Sequence, residues 1–268
     1  MAARGVGNLV EESTEAGSDA KPFAPVIVVP GSADSSLLLL CDHARNALPP
    51  AYGTLGLEPS HLAAHIAYDI GAEALTRALA ERLDAPAVMA TYSRLLIDPN
   101  RGENDPTLIV SNSDAVDIPG NVDLDGDERQ IRMARYYLPY HAAIDERISA
   151  GIAAGSPPVL ISIHSFTPTW RGVPRPWHVG ILWDSDPDLA RIFIDRLAED
   201  PDIVVGDNEP YSGKAPVNGT LNKHARTRNL SHVLIEVRQD LIADADGVAE
   251  WADRLTPILQ ELQDEVQR

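Results

Sequence analysis

The chain has 268 residues, with 22 basic and 40 acidic side chains and a formal charge of -18. Such a surface repels phosphate backbones, which excludes nucleic acid as the expected partner. Small anions can still reach a local arginine pocket, because screening acts over about 8–10 Å at physiological salt. A single cysteine excludes an internal disulfide and a thiolate zinc knuckle, so any metal falls to histidine and carboxylate. No apolar run approaches the ~20 residues that span a bilayer.

Residues 1–30 open on MAARGVGNLVEESTEAGSDAKPFAP, rich in Gly, Ser, Ala and Glu and without the apolar stretch of a signal peptide. They read as a flexible lead-in to one catalytic domain over 31–268, and the expected compartment is the cytoplasm. Residues 36–41 read as a buried strand. Next comes a helix from an N-cap at Ser60, with Leu62, Ile66, Ala72, Leu75 and Leu79 on its packed face. APAVMATYSRLLIDPNR reads as strand, turn, short strand and a loop broken at Pro99. Residues 103–125 lack any period and form a long surface excursion of the kind that is often functional. A helix over about 126–154 carries Pro139 as its expected kink. PPVLISIHSF and HVGILW are strands, DPDLARIFIDRLAED a helix, DIVVGDNEPY a short strand with a polar turn, and APVNGTLNKHARTRNL a helix. SHVLIEVRQD is the last strand, and GVAEWADRLTPILQELQDEVQ closes the chain as an amphipathic helix. This alternation predicts an α/β fold with a mostly parallel sheet covered on both sides.

Ligands of open α/β sheets bind beyond the carboxyl ends of the strands. Three apolar strands end there in ionisable chemistry: His43 after LLLLCD, His164 after VLISI, and Glu236-Val237-Arg238 after HVLI. As parallel neighbours they bring two imidazoles, a carboxylate and a guanidinium to one crevice. Two histidines and a carboxylate with an open fourth position form a common catalytic zinc arrangement. Singly, each residue also reads as a hydrogen-bonded structural group. Two residues compete as the third ligand. Asp69 lies four after His65 on a helix face shared with Leu62 and Ile66, where a carboxylate is costly unless paired or bound to a cation. Gly71 nearby permits close approach. Asn46, three residues after His43, is the alternative, although amide oxygens are weak zinc ligands; otherwise it is a substrate contact. Asp42 points away from His43 along the strand and suits holding an imidazole from behind. Arg94 and Arg101 flank a strand and turn, and their forks either clamp a substrate carboxylate or pair with the chain's own acids. His141 and Asn208 are further pocket candidates, whereas His61, His178, His224 and His232 read as structural.

Seven stretches, CDHARNALP, YDIGA, SRLLIDPNR, YLPYH, IHSFTP, NEPYSG and IEVRQDLI, occur in the order that the N-formylglutamate amidohydrolase family shows. The resemblance runs from about Leu37 to Leu262. More distantly, the chain is similar to zinc carboxypeptidases and to zinc amidases that cleave muramoyl–alanine bonds. Those resemblances imply the three-layer α/β/α sandwich of the zinc exopeptidases, one Zn2+ on His43, Asp69 and His164, and Glu236 as catalytic base. They also imply hydrolysis of an N-acyl bond on a small acidic amino acid, such as the formyl group of N-formylglutamate. Arg94 and Arg101 would then hold the substrate carboxylates, and Arg238 or His141 would help stabilise the oxyanion.

Overall fold

The computed structural model describes residues 23–32, 34–214 and 219–266. Seven strands form the main sheet: β1 (Val26–Val29), β2 (Leu37–Cys41), β3 (Ala87–Ala90), β4 (Val159–Phe166), β5 (Val179–Leu182), β6 (Val205–Asp207) and β7 (His232–Arg238). Their order is β1-β3-β2-β4-β7-β5-β6. The central strands β3, β2, β4 and β7 run parallel, while β1 and β5 pair antiparallel with β3 and β7. The result is the expected mostly parallel mixed sheet.

Six helices accompany it: α1 (Ala72–Leu83), α2 (Gly126–Arg132), α3 (Leu138–Ala153), α4 (Pro187–Leu197), α5 (Thr220–His224) and α6 (Ala245–Val266). The leucine run of β2 is explained by its central place. Leu37, Leu39 and Cys41 enter a core with α1, α4 and α6. Leu38 and Leu40 enter a second core, built on the other face of the sheet from Tyr136, Tyr137, Tyr140, Ile144 and Ile148. A strand buried on both faces loses its alternation and reads as continuous apolar sequence. Each buried leucine contributes roughly 1.5–3 kcal/mol, which lets β2 carry polar chemistry at its end. The three layers therefore form as expected.

Several local expectations are corrected. Val26–Val29, inside the stretch read as a lead-in, form an edge strand whose partners run from Ala87 to Ala90; the lead-in before Phe23 lies outside the described residues. The first helix is two pieces, a turn at Pro59–Leu62 and α1, separated by irregular chain. Gly71 sits between them at φ 83°, where a Cβ would collide with the backbone oxygen of Ile242. Helix packing there demands glycine, and its left-handed conformation stops the helix short of Asp69. The short strand expected before Pro99 does not form; Tyr92 makes a single bridge to Ala47, and the next strands are a small hairpin of Asn112–Ser113 and Val116–Asp117. The 126–154 helix is interrupted at Met133–Tyr137 by a π turn, just before Pro139, which then occupies the first turn of α3. That placement suits proline, whose missing N–H is unneeded at a helix start.

Candidate active site

β2 ends at Cys41 and the chain turns immediately, so Asp42 and His43 leave the sheet at its carboxyl edge. Next to it β4 carries Ser162 and His164 on one face, and β7 pairs Glu236 directly with His164. Asp69 arrives from the irregular segment before α1, where its N–H donates to the His43 carbonyl at 2.9 Å. All four side chains are buried.

His43 Nδ1 and His164 Nδ1 both face Asp69 Oδ2, at 3.3 and 2.7 Å. The other nitrogens are backed by different carboxylates: His43 Nε2 by Asp98 Oδ1 at 2.7 Å, and His164 Nε2 by Asp42 Oδ2 at 3.0 Å. Asp42 is held in turn by donors from Tyr140, Thr220 and Ser162. Asp98 accepts from Arg94 Nη2 at 2.9 Å, and Arg101 Nε lies 3.8 Å from it. Burial pushes Asp69 and Asp98 upward, but the imidazoles and Arg94 outweigh it and hold both carboxyls well below their ordinary range. Asp42 falls to about 2, its burial outweighed by the His164 hydrogen bond.

The donor set fits a divalent cation, since a neutral imidazole has one N–H and one lone pair. With acceptors at both nitrogens of His43 and of His164, all four contacts need two imidazolium ions in a buried site. A dication among the two Nδ1 atoms and Asp69 replaces those two protons at equal charge. Each ring then keeps its Nε2–H for the carboxylate behind it, the usual way of orienting a histidine ligand. His43, Asp69 and His164 present ligand atoms within 4.8 Å of one another.

Glu236 differs from the other acids. Its Oε2 is buried without a hydrogen-bond partner. Burial raises its carboxyl to about 7, with Asp69 adding to the rise while His164 and His43 oppose it. A carboxyl that exchanges its proton near neutrality is suited to general acid–base work.

These groups open on a cavity of about 610 Å³ lined by His43, Asp69, His164, Glu236, Arg94 and Arg101. The cavity extends further than a strand-edge crevice. Val233, Ile235 and Val237 of β7 join the first core, whereas Leu234, Glu236 and His232 face the cavity and floor it. His232, expected on the far side, is thus a lining residue, anchored by Leu230 and Asp184.

Other candidates lie elsewhere. Arg238 Nε donates to Asp240 at 2.8 Å and Nη1 to the Trp177 carbonyl at 3.4 Å, which turns it away from the cavity. Asn46 donates to the Leu62 carbonyl at 2.8 Å and holds a turn, contributing neither ligand nor lining. Asn208 accepts from the N–H groups of Trp183 and Gly213, tying the end of β5 to the loop after β6; Trp183 of the one and Tyr211 and Gly213 of the other do line the cavity. His141 is buried against His224, Nδ1 to Nε2 at 2.7 Å, away from the lining. His65 shares no face with Asp69; it pairs with Asp114 at the rim. Asp98, which lines the cavity and backs His43, is not among the candidates expected from the sequence. Its mark in the sequence is its spacing, four residues after Arg94 and three before Arg101.

Fold and site together define an amidohydrolase built on a three-layer α/β/α sandwich, with its chemistry at the carboxyl edge of the sheet. The chain belongs to the N-formylglutamate amidohydrolase family, whose profile matches residues 35–243. The crystal structure of a gene product from Agrobacterium tumefaciens, 37% identical, superposes with a TM-score of 0.85 over 92% of this chain and 97% of its own. That of an N-formylglutamate amidohydrolase from Ralstonia eutropha, 23% identical, superposes with a TM-score of 0.73 over 92% of this chain and 99% of its own. No curated protein matches the chain. Among the described residues, no helix is long and apolar enough to cross a membrane.

Proposed function

We propose that this chain is a zinc-dependent, cytoplasmic deformylase of N-formyl acidic amino acids, with N-formyl-L-glutamate as the leading substrate. The reading is carried by two buried imidazoles, each backed by a carboxylate, facing a third carboxylate beside an unpartnered glutamate, in a chain of this family. His43, Asp69 and His164 would hold the ion. When bound, zinc supplies Lewis acidity, polarising an amide carbonyl and lowering the pKa of a water to about 7. Asp98 and Asp42 keep the Nε2 protons in place and fix both rings.

Glu236 accepts a proton from water as the water oxygen bonds to the formyl carbon. It returns that proton to the nitrogen as the C–N bond breaks, giving formate and the free amino acid. Arg94 and Arg101 reach the cavity while braced by Asp98, and they orient a substrate carboxylate so that the amide lies over the histidines. Arg238 and His141 have no part in this scheme, because Arg238 is spent on Asp240 and the Trp177 carbonyl and His141 on His224.

Formate release from N-formyl-L-glutamate by zinc-loaded protein tests the reading directly. Glu236→Gln is expected to keep zinc and lose about 10²–10⁴-fold in kcat. Full activity in that variant would remove Glu236 as base. The extension of the cavity along β7 favours a second reading, in which the acyl group is larger than formyl. A panel of N-acyl glutamates separates the two, since the second predicts higher kcat/KM for a longer acyl chain.

A further inference from the structure

Only two arginines are buried among the described residues, and they differ in one respect. Arg132 pairs with Glu128 at 2.8 Å. Arg175, 9% exposed, has no carboxylate within 4.0 Å among the described residues. Its Nη1 donates to Thr167, at 3.2 Å to Oγ1 and 3.4 Å to the carbonyl. The guanidinium lies over three aromatic rings, with centroid distances of 5.6 Å to Phe166, 5.2 Å to Trp170 and 5.0 Å to Tyr211. Aromatic faces offset part of the cost of burying a cation, but they do not neutralise it.

Two of those rings, Trp170 and Tyr211, line the catalytic cavity and are 37% and 44% exposed. They come from other strands than Arg94 and Arg101. The loop carrying those two arginines follows β3, whereas Trp170 follows β4 and Tyr211 follows β6, and β2, β4, β7 and β5 lie between β3 and β6 in the sheet. Arg94 and Arg101 are already neutralised in part by Asp98 and Asp69. Arg175 is the buried arginine without a carboxylate partner among the described residues.

Arg175 does not itself line the cavity but lies against Trp170 and Tyr211, which do. We propose that Arg175 is a specificity-determining anchor that receives one carboxylate of a dicarboxylate substrate entering between those two rings. The second carboxylate is then taken by Arg94 and Arg101 in the cavity. The substrate class is an N-acyl amino acid with an acidic side chain, and a substrate with one carboxylate leaves Arg175 unpaired. This rests on the deformylase reading for its substrate but not for its measurement.

The test uses glutarate, a dicarboxylate with no amide to cleave, against butyrate, which has one carboxylate, on zinc-loaded protein by calorimetry. The wild type is expected to prefer glutarate, and Arg175→Met is expected to erase about 10- to 100-fold of that preference, the scale of one charge-assisted contact. In turnover, the same variant should raise KM for N-formylglutamate by a similar factor while changing N-formylglutamine little. Melting temperature and zinc content verify that the variant is folded. If it does not fold, a glutarate-bound crystal structure of the wild type decides: a carboxylate oxygen within about 3 Å of the guanidinium supports the anchor, and both carboxylates elsewhere overturn it. Equal glutarate affinity in wild type and Arg175→Met, or no preference for glutarate in the wild type, also overturns it. Glutarate bound through Arg175 without formate release keeps the anchor and rejects the deformylase; formate release indifferent to Arg175 does the reverse.

Discussion

The chain buries two pairs of imidazoles and gives them opposite surroundings. His43 and His164 lie edge to face with centroids 5.1 Å apart, and three carboxylates contact their four nitrogens. His141 and His224 are stacked at 5.0 Å, with one carboxylate, Asp145, which Arg228 also claims. Burial alone lowers a histidine's proton affinity, and the groups buried with it decide the net direction. In the first pair the acids outweigh desolvation and both rings are pushed up. In the second, burial dominates, the nearby Lys223 adds to it, and His141 falls to about 3. A surplus of buried carboxylate makes a place for a cation; a surplus of nearby cations makes a neutral structural ring. Residue type alone does not separate these outcomes.

Variants that cross this boundary rank by how far they disturb it. His164→Ala removes a donor and leaves Asp42 and Asp69 facing each other, so zinc stoichiometry by elemental analysis is expected to fall to background and formate release with it. His141→Ala, by contrast, is expected to leave zinc bound. Asp98→Asn keeps every ligand but weakens the backing of His43, and zinc affinity by chelator competition should drop about 10–100-fold. His141→Phe removes the bond to His224 and leaves that nitrogen without its partner, costing about 1–3 kcal/mol in denaturant unfolding. The last effect is on pH dependence. His141 has a folded pKa of about 3 against an ordinary value of 6.5. The unfolded chain therefore takes up the proton first as pH falls, and the wild type loses stability from about pH 6.5 downward until about pH 3. His141→Phe should flatten that slope, and an unchanged slope would place the burden on other groups.

Much of the site was legible because apolar runs that end abruptly in His, Asp or Glu mark strands delivering chemistry to one edge. That logic points to His43, His164 and Glu236, which the fold brings together with Asp69 and without Asn46. It misjudged Asp69's backbone, because the contact between Gly71 and Ile242 is long-range and invisible in the local period. It misplaced Arg238 because a partner two residues later, Asp240, decides where the guanidinium turns. Strand direction was equally hidden. HVGILW carries the same apolar signal whether parallel or not, and β5 runs antiparallel to β7. Asp98 carries no local signal of its own, because Arg94 and Arg101 on either side of it hold the anion-binding pattern and the acid that braces them is one of many.

Anomalous diffraction at the zinc edge on active protein tests the central claim most directly. The account predicts one peak about 2.0–2.2 Å from His43 Nδ1, His164 Nδ1 and an Asp69 oxygen. It also predicts that chelation removes the peak and formate release together, and that zinc restores both. A peak at a site without His43 and His164, or full activity from protein stripped of metal, would contradict it.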